Sequence, residues 1–172
     1  IEERADALWT RGCVENCRVA QAPSTMRVVI AVDLPASAKK GADSCGLIAA
    51  GRAENGMIYV LADETVGQLT PQGWSRKAIS MWRKFSADAL VVEVNQGGDM
   101  VRAVIGEADP SVPITPVHAR KGKWLRAEPV ALLYEQGKVK HVGAFPELED
   151  EMCDFGLDGL TRSEEHTSEL QS

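Results

Sequence analysis

Two acidic residues stand where apolar runs of the chain end. Ala89 to Val92 is an apolar, β-branched run that reads as a buried strand, and Glu93 follows it directly. Asn95, Gln96 and a Gly97-Gly98 turn come next and open a helix. Val28 to Val32 is a second run of the same kind; it delivers Asp33, and Pro35 ends it. Open α/β sheets build their sites at such strand ends. Two carboxylates so placed, in a chain with no cluster of His or Cys ligands, point to a hard divalent cation held by oxygen. Either acid alone reads as a helix cap or a solvated carboxylate; two at the ends of buried strands are harder to dismiss. Asn95, Gln96 and the backbone N–H groups of Gly97 and Gly98 are candidates to hold phosphate or a metal-bound water, although the glycines serve a tight turn equally well.

The elements that must position these residues follow from periodicity. Residues 1–20 read as a helix with Leu8 and Trp9 on its apolar side. Strands are expected over 28–33, 45–53 and 57–62, the last two joined at Asn55-Gly56, a strong hairpin signal because both residues tolerate positive φ. Thr70-Pro71 is a cap and first turn for a helix over 71–86, whose stripe of Trp74, Ala78, Met81, Trp82 and Phe85 has core spacing. Strand 89–94, helix 98–106 and strand 114–117 come next. His118 to Arg126 is a basic loop entering a helix that ends near Gly137, with Pro129 tolerated only in its first turn. Strand 138–142 and a helix from Pro146 close the series. On that last helix Leu148 and Met152 face inward, and Glu147, Glu149, Asp150 and Glu151 read as a solvated face. The order predicts an α/β fold, a mixed sheet covered by helices.

Composition bounds the rest. A length of 172 residues fits one domain with a real core and a short appendage. A net charge of −6 argues against a protein that coats nucleic acid through its overall field, and only weakly against a nuclease, whose metal ligands are carboxylates. Lys121, Lys123 and Arg126, with Arg120 and His118, form the densest basic patch; it is either a set of phosphate contacts or an ordinary solvated loop. Cys13, Cys17, Cys45 and Cys153 have no CxxC spacing and read as reduced thiols. His118 and His141 have no partner pattern and read as structural. No run is long enough to span a membrane, and the N-terminus lacks the plan of a signal peptide.

Six stretches carry a family resemblance: VVIAVDLP (28–35), GADSCGLIAAGR (41–52), YVLAD (59–63), VEVNQGGDMV (92–101), RAEPVALLYEQGKV (126–139) and HVGAFPELEDEMCDF (141–155). Together they make the chain similar to the nuclease domain of phage terminase large subunits, the DNA-packaging motors of tailed phages. VNQGG and FPELEDEMC are the specific stretches. The resemblance implies an RNase H-like fold in which the strands delivering Asp33 and Glu93 lie side by side. It implies two Mg²⁺ or Mn²⁺ ions about 4 Å apart, which activate a water and stabilise the leaving 3′ oxygen of a phosphodiester. Asp33 and Glu93 would be catalytic and metal-binding, and Asp43 a third ligand. It further implies double-stranded DNA as substrate and cytoplasmic action in a host cell. Its expected partners are an ATPase domain, the small terminase subunit and the portal.

The resemblance also divides the chain. Residues 1–26 are expected to lead from an ATPase motor domain, since the chain starts at Ile1 and holds no G-x-x-x-x-G-K-[ST]. Residues 27–161 are expected to be the nuclease domain, truncated at its C-terminal helix. Residues 162–172 resemble the in-frame translation of a short-read sequencing adapter and are expected to be an artefactual tail. The family's remaining ligand, an Asp in a stretch like S-P-D-R-x-D-A-L, has no counterpart here; Asp154 and Asp158 match the loop before that helix. Cleavage by the chain is therefore expected to be impaired. Two further readings compete. One is a non-catalytic RNase H-like module that docks on DNA or portal, separated from a nuclease by whether the acidic cluster is intact. The other is a resolvase-like or transposase-like nuclease, against which VNQGG and FPELEDEMC speak.

Overall fold

The computed structural model describes residues 5–24, 26–34, 44–67, 70–93 and 98–156. In chain order its elements are α1 (Arg11–Asn16), β1 (Arg18–Val19), β2 (Arg27–Asp33), β3 (Ser44–Arg52), β4 (Ile58–Asp63), β5 (Val66–Gly67), α2 (Pro71–Lys84), β6 (Ala89–Glu93), α3 (Gly98–Ala108), β7 (Ile114–Val117), α4 (Lys123–Glu135), β8 (Val139–Val142) and α5 (Pro146–Asp154). They fall into two compact units, one of residues 22–119 and one of residues 1–21 with 120–172.

The first unit is a mixed sheet with strand order β4-β3-β2-β6-β7, β5 pairing with β3 off that path. β2, β3 and β4 run antiparallel, and β6 and β7 continue parallel to β2. Period-2 alternation sends Val28, Ile30 and Val32 of β2, Cys45, Leu47 and Ala49 of β3, and Leu90 and Val92 of β6 into the core. Trp74, Ala78 and Met81 of α2, spaced at helical period, pack on that face with Val101 and Ile105 of α3, while Trp82 and Phe85 are only partly buried against it. The aromatic stripe of α2 is thus core. The β3–β4 hairpin closes as expected at Asn55-Gly56, but only Gly56 adopts a left-handed conformation, with φ of 86°. Asn55 instead turns its Oδ1 to accept from Met57 N at 3.0 Å.

α2 starts where Thr70-Pro71 places it: Thr70 Oγ1 accepts from Gly73 N at 3.1 Å and Pro71 occupies the first turn. Thr70→Ala is expected to cost about 1 kcal/mol, read as a lower midpoint in urea unfolding. An unchanged midpoint would mean the cap is redundant.

The second unit departs from the sequence reading in three ways. The stretch 1–20, expected to be one short helix, holds the six-residue α1 and then β1. Thr10 caps α1, and β8 captures the chain beyond it: His141 N donates to Cys17 O at 3.0 Å and Gly143 N to Val19 O at 3.0 Å. Trp9 is buried, edge-on to Tyr134 and Phe155. Pro129 lies inside α4 rather than in its first turn. It sits on the exposed side with Leu125, whose carbonyl loses the usual i→i−4 partner where water can replace it. Glu149, read as part of a solvated face, is fully buried.

Candidate metal centre

Glu93 and Asp33 end the two parallel neighbours β6 and β2. The register pairs Val29 with Ala89, Ile30 with Leu90, Ala31 with Val91 and Val32 with Val92, so Asp33 and Glu93 are the next residues on their strands. In-register residues of parallel strands point to the same face. Val32 and Val92 point into the α2–α3 core, so Asp33 and Glu93 point to the opposite face, side by side. The start of this pairing is pinned by a two-way clasp: Asp88 N donates to Val28 O at 2.7 Å, and Val28 N to Asp88 Oδ2 at 2.9 Å.

Asp33 faces a glycine on the neighbouring strand. Asp33 pairs across β2–β3 with Gly46, and a Cβ added there would stand 3.4 Å from the Asp33 Cβ. The absent side chain leaves room for the Asp33 carboxylate. Asp33 is exposed and Glu93 half-buried. The charge of Asp33 is felt nearby: burial first, and then Asp33, push the buried Cys45 thiol up to about 11. On its other side Glu93 pairs with Val117 of β7.

Other acids of this unit have different duties. Asp63 turns its Oδ1 to Thr65, accepting from its hydroxyl at 2.6 Å and its backbone N–H at 3.1 Å. Glu64 lies beside Leu47, to which its N–H donates at 2.8 Å, and so on the α2 side of the sheet, away from Asp33. One of its carboxylate oxygens is buried without a hydrogen-bond partner. Among the described residues no group of three or more His, Cys, Asp or Glu is placed to hold a metal. Asp33 and Glu93 bring two carboxylates to one face, a donor set of the type that a hard divalent cation with several waters accepts. Asp43, Asn95 and Gln96 lie outside the described residues.

Of the basic patch, Lys121, Lys123 and Arg126 are exposed around the start of α4, in the other unit from Asp33 and Glu93. The helix N-cap there is Gly122, with no side-chain bond.

A buried titratable cluster in that second unit escaped the sequence reading. Arg18 Nη2 donates to Glu149 Oε1 at 2.7 Å, His141 Nδ1 meets Glu149 Oε2 at 2.9 Å, and Tyr134 Oη lies 2.6 Å from His141 Nε2. A carboxylate only accepts, so Nδ1 carries the proton and, in the neutral ring, Nε2 accepts from the Tyr134 hydroxyl. Burial raises Glu149, but the bonds from Arg18 and His141 more than offset it and hold the carboxyl below its usual range. Burial drives the Tyr134 hydroxyl well above its usual value. Arg18 is 131 residues from Glu149, so no local spacing signals the contact.

Comparison with known proteins bears on what this fold is. The chain resembles the large terminase nuclease of thermophilic phage G20c with a TM-score of 0.65 at 13% identity, covering 88% of this chain and 82% of that one. It resembles the human cytomegalovirus terminase nuclease domain with a TM-score of 0.64 at 15% identity, covering 85% of each. It resembles the HK97 bacteriophage large terminase with a TM-score of 0.63 at 13% identity, covering 79% of this chain but 34% of that one. The chain thus spans about a third of the HK97 protein. At such identities these likenesses show that the fold is shared and no more. No curated protein sequence matches the chain. The family model of the terminase RNase H-like domain matches residues 30–169, eight residues past the 161 at which the sequence reading ends the domain. With most of its length matched, the chain belongs to the terminase RNase H-like domain family.

Proposed function

We propose that the chain is a divalent-metal-dependent endodeoxyribonuclease, the nuclease part of a DNA-packaging terminase large subunit, which cuts concatemeric double-stranded DNA. The observation that carries it is the placement of Asp33 and Glu93 at the ends of adjacent parallel strands, on one face of the sheet. The G20c nuclease is described with bound magnesium and with bound zinc, which supports the use of a divalent ion. Asp33 and Glu93, with Asp43 as third ligand, would hold Mg²⁺ or Mn²⁺, two ions in the full arrangement. Bound metal supplies an activated water and charge stabilisation for in-line attack on phosphate. The chain's own residues fix the geometry: the β2–β6 register sets the spacing of the two carboxylates, and Gly46 keeps the space beside Asp33 clear. Asn95 and Gln96 would contact the phosphate at the same strand end.

A nuclease domain built on residues 27–161, to which β1 of the preceding segment adds by pairing with β8, would follow an ATPase domain in the longer protein. The small subunit and portal would be partners of the longer protein, acting in the host cytoplasm. Among the described residues no helix is long and apolar enough to cross a membrane.

The test is nicking of supercoiled plasmid. Slow nicking is expected with Mn²⁺ or Mg²⁺ and none with a chelator. DNA retention without nicking at any metal concentration would favour a docking module instead. Lys121, Lys123 and Arg126, exposed around the start of α4, would bind phosphates. Replacing all three by Ala should weaken DNA binding regardless of sequence and lower the slope of log K against log salt by about 2 to 3. An unchanged slope would make them an ordinary surface loop.

A further inference from the structure

Arg27 begins β2 and Arg52 ends β3, and the antiparallel register sets them directly opposite each other. Side chains so paired leave the same face of a sheet with Cβ atoms about 5 Å apart, and like charges there are destabilising. Nothing within the fold relieves this repulsion. Both arginines are exposed, and among the described residues neither guanidinium is ion-paired or hydrogen-bonded. They line an open depression of about 590 Å³ with Met26, Ala53 and Glu54. Glu54 is exposed and pairs with neither arginine. Period-2 alternation puts Arg27 on the face of β2 that carries Asp33, six residues and about 20 Å away along the strand.

We infer that Arg27 and Arg52 hold between them one phosphate of a nucleic-acid backbone. A phosphate supplies the negative charge that removes the repulsion of the pair, and its oxygens accept from both guanidinium forks. The position suits a DNA duplex. One strand advances about 3.4 Å per nucleotide along the helix axis, so a phosphate roughly six steps from the bond presented to Asp33 and Glu93 stands at the distance of the arginine pair. A duplex is stiff over that length and meets both places without bending. This match of spacing rests on the proposed cleavage; the phosphate site itself does not, since it binds without metal. Among anionic partners, the face shared with Asp33 and Glu93 favours nucleic acid over an acidic peptide.

The test is binding of a fluorescein-labelled duplex of about 20 base pairs to the full chain in EDTA, read by anisotropy. Arg27→Gln and Arg52→Gln should each weaken binding roughly fivefold to tenfold. The double variant should be little weaker than either, because both arginines serve one phosphate. In that variant the slope of log K against log salt should fall by about 1, the value for one phosphate contact. Glu54→Gln should tighten binding roughly twofold to threefold, since it removes a repulsive charge beside the phosphate. Inorganic phosphate should raise the melting temperature of the wild type above its value in chloride of equal ionic strength, and raise that of the double variant less. Melts of the variants in chloride matching the wild type would show that the fold is intact. Unchanged affinity and slope in the double variant, or weaker binding in Glu54→Gln, would overturn the inference. Phosphate stabilisation lost in the double variant with duplex affinity unchanged would make the pair a free-phosphate site and overturn the nucleic-acid assignment. Displacement of the duplex by poly-glutamate as readily as by unlabelled duplex would make it a surface for acidic protein and overturn it as well. Because every readout is taken without metal, a chain that binds but never nicks would sink the cleavage reading and leave this one standing.

Discussion

Glu149→Ala is expected to destabilise the unit built from residues 1–21 and 120–172 by about 3–5 kcal/mol. The carboxylate is fully buried and holds two partners at once, Arg18 at 2.7 Å and His141 at 2.9 Å. Removing it strands the Nδ1 proton of a histidine that is itself fully buried, and releases Arg18 from its carboxylate acceptor on α5. The loss reaches beyond α5, because Arg18 and His141 belong to the paired strands β1 and β8 and Tyr134 to α4. Arg18 is partly exposed, so the cost comes chiefly from the buried Glu149–His141 end. The pH dependence has a definite sign. The folded carboxyl sits below its ordinary value, so its contribution is present above about pH 4.3, the unfolded glutamate value, and is lost as pH falls through the folded one. Protection factors of the β8 and α5 amides, corrected for the intrinsic pH dependence of exchange, should therefore fall on acidification in the wild type, and less so in Glu149→Gln. Unchanged protection in Glu149→Ala would show that the cluster adds no stability.

Glu93→Gln is expected to lower metal-dependent nicking by at least about a thousandfold. Metal catalysis of phosphodiester cleavage supplies several kcal/mol, and each 1.36 kcal/mol is about tenfold in rate. The substitution keeps the shape of the side chain but removes the charge that holds the ion. Glu93 is half-buried at the end of β6, outside the core of Leu90 and Val92, so the fold should survive. Asp33→Asn should act alike, and the double variant should be no worse than either alone, because both groups serve one site. Nicking within about threefold of the wild type in Glu93→Gln would remove it from the metal site.

What the sequence made legible follows from how far each signal reaches along the chain. Asp33 and Glu93 could be singled out because each ends its own apolar run, a local pattern. Their adjacency is not local: β2 and β6 are separated by β3, β4, β5 and α2, and only the resemblance supplied it. The helix of Thr70-Pro71 was legible for the opposite reason, since cap, first turn and stripe all lie within its own residues. Glu149 was misread because four acids among Glu147 to Glu151 look like a solvated helix face, and its partners come from β1 and β8. β1 was invisible: two residues have no period, and they are extended only because β8 accepts them. Pro129 ran against a rule whose penalty falls on a carbonyl that reaches solvent.

The measurement that most directly tests the metal site is Fe²⁺-directed cleavage of the protein's own backbone. Bound Fe²⁺ with ascorbate and peroxide produces radicals that cut the chain near the ion. Metal held by Asp33 and Glu93 predicts cuts close to residues 33 and 93, suppressed by excess Mg²⁺ and lost in Asp33→Asn and in Glu93→Gln. Cuts elsewhere in the chain, or cuts at these positions that survive both substitutions, would contradict it.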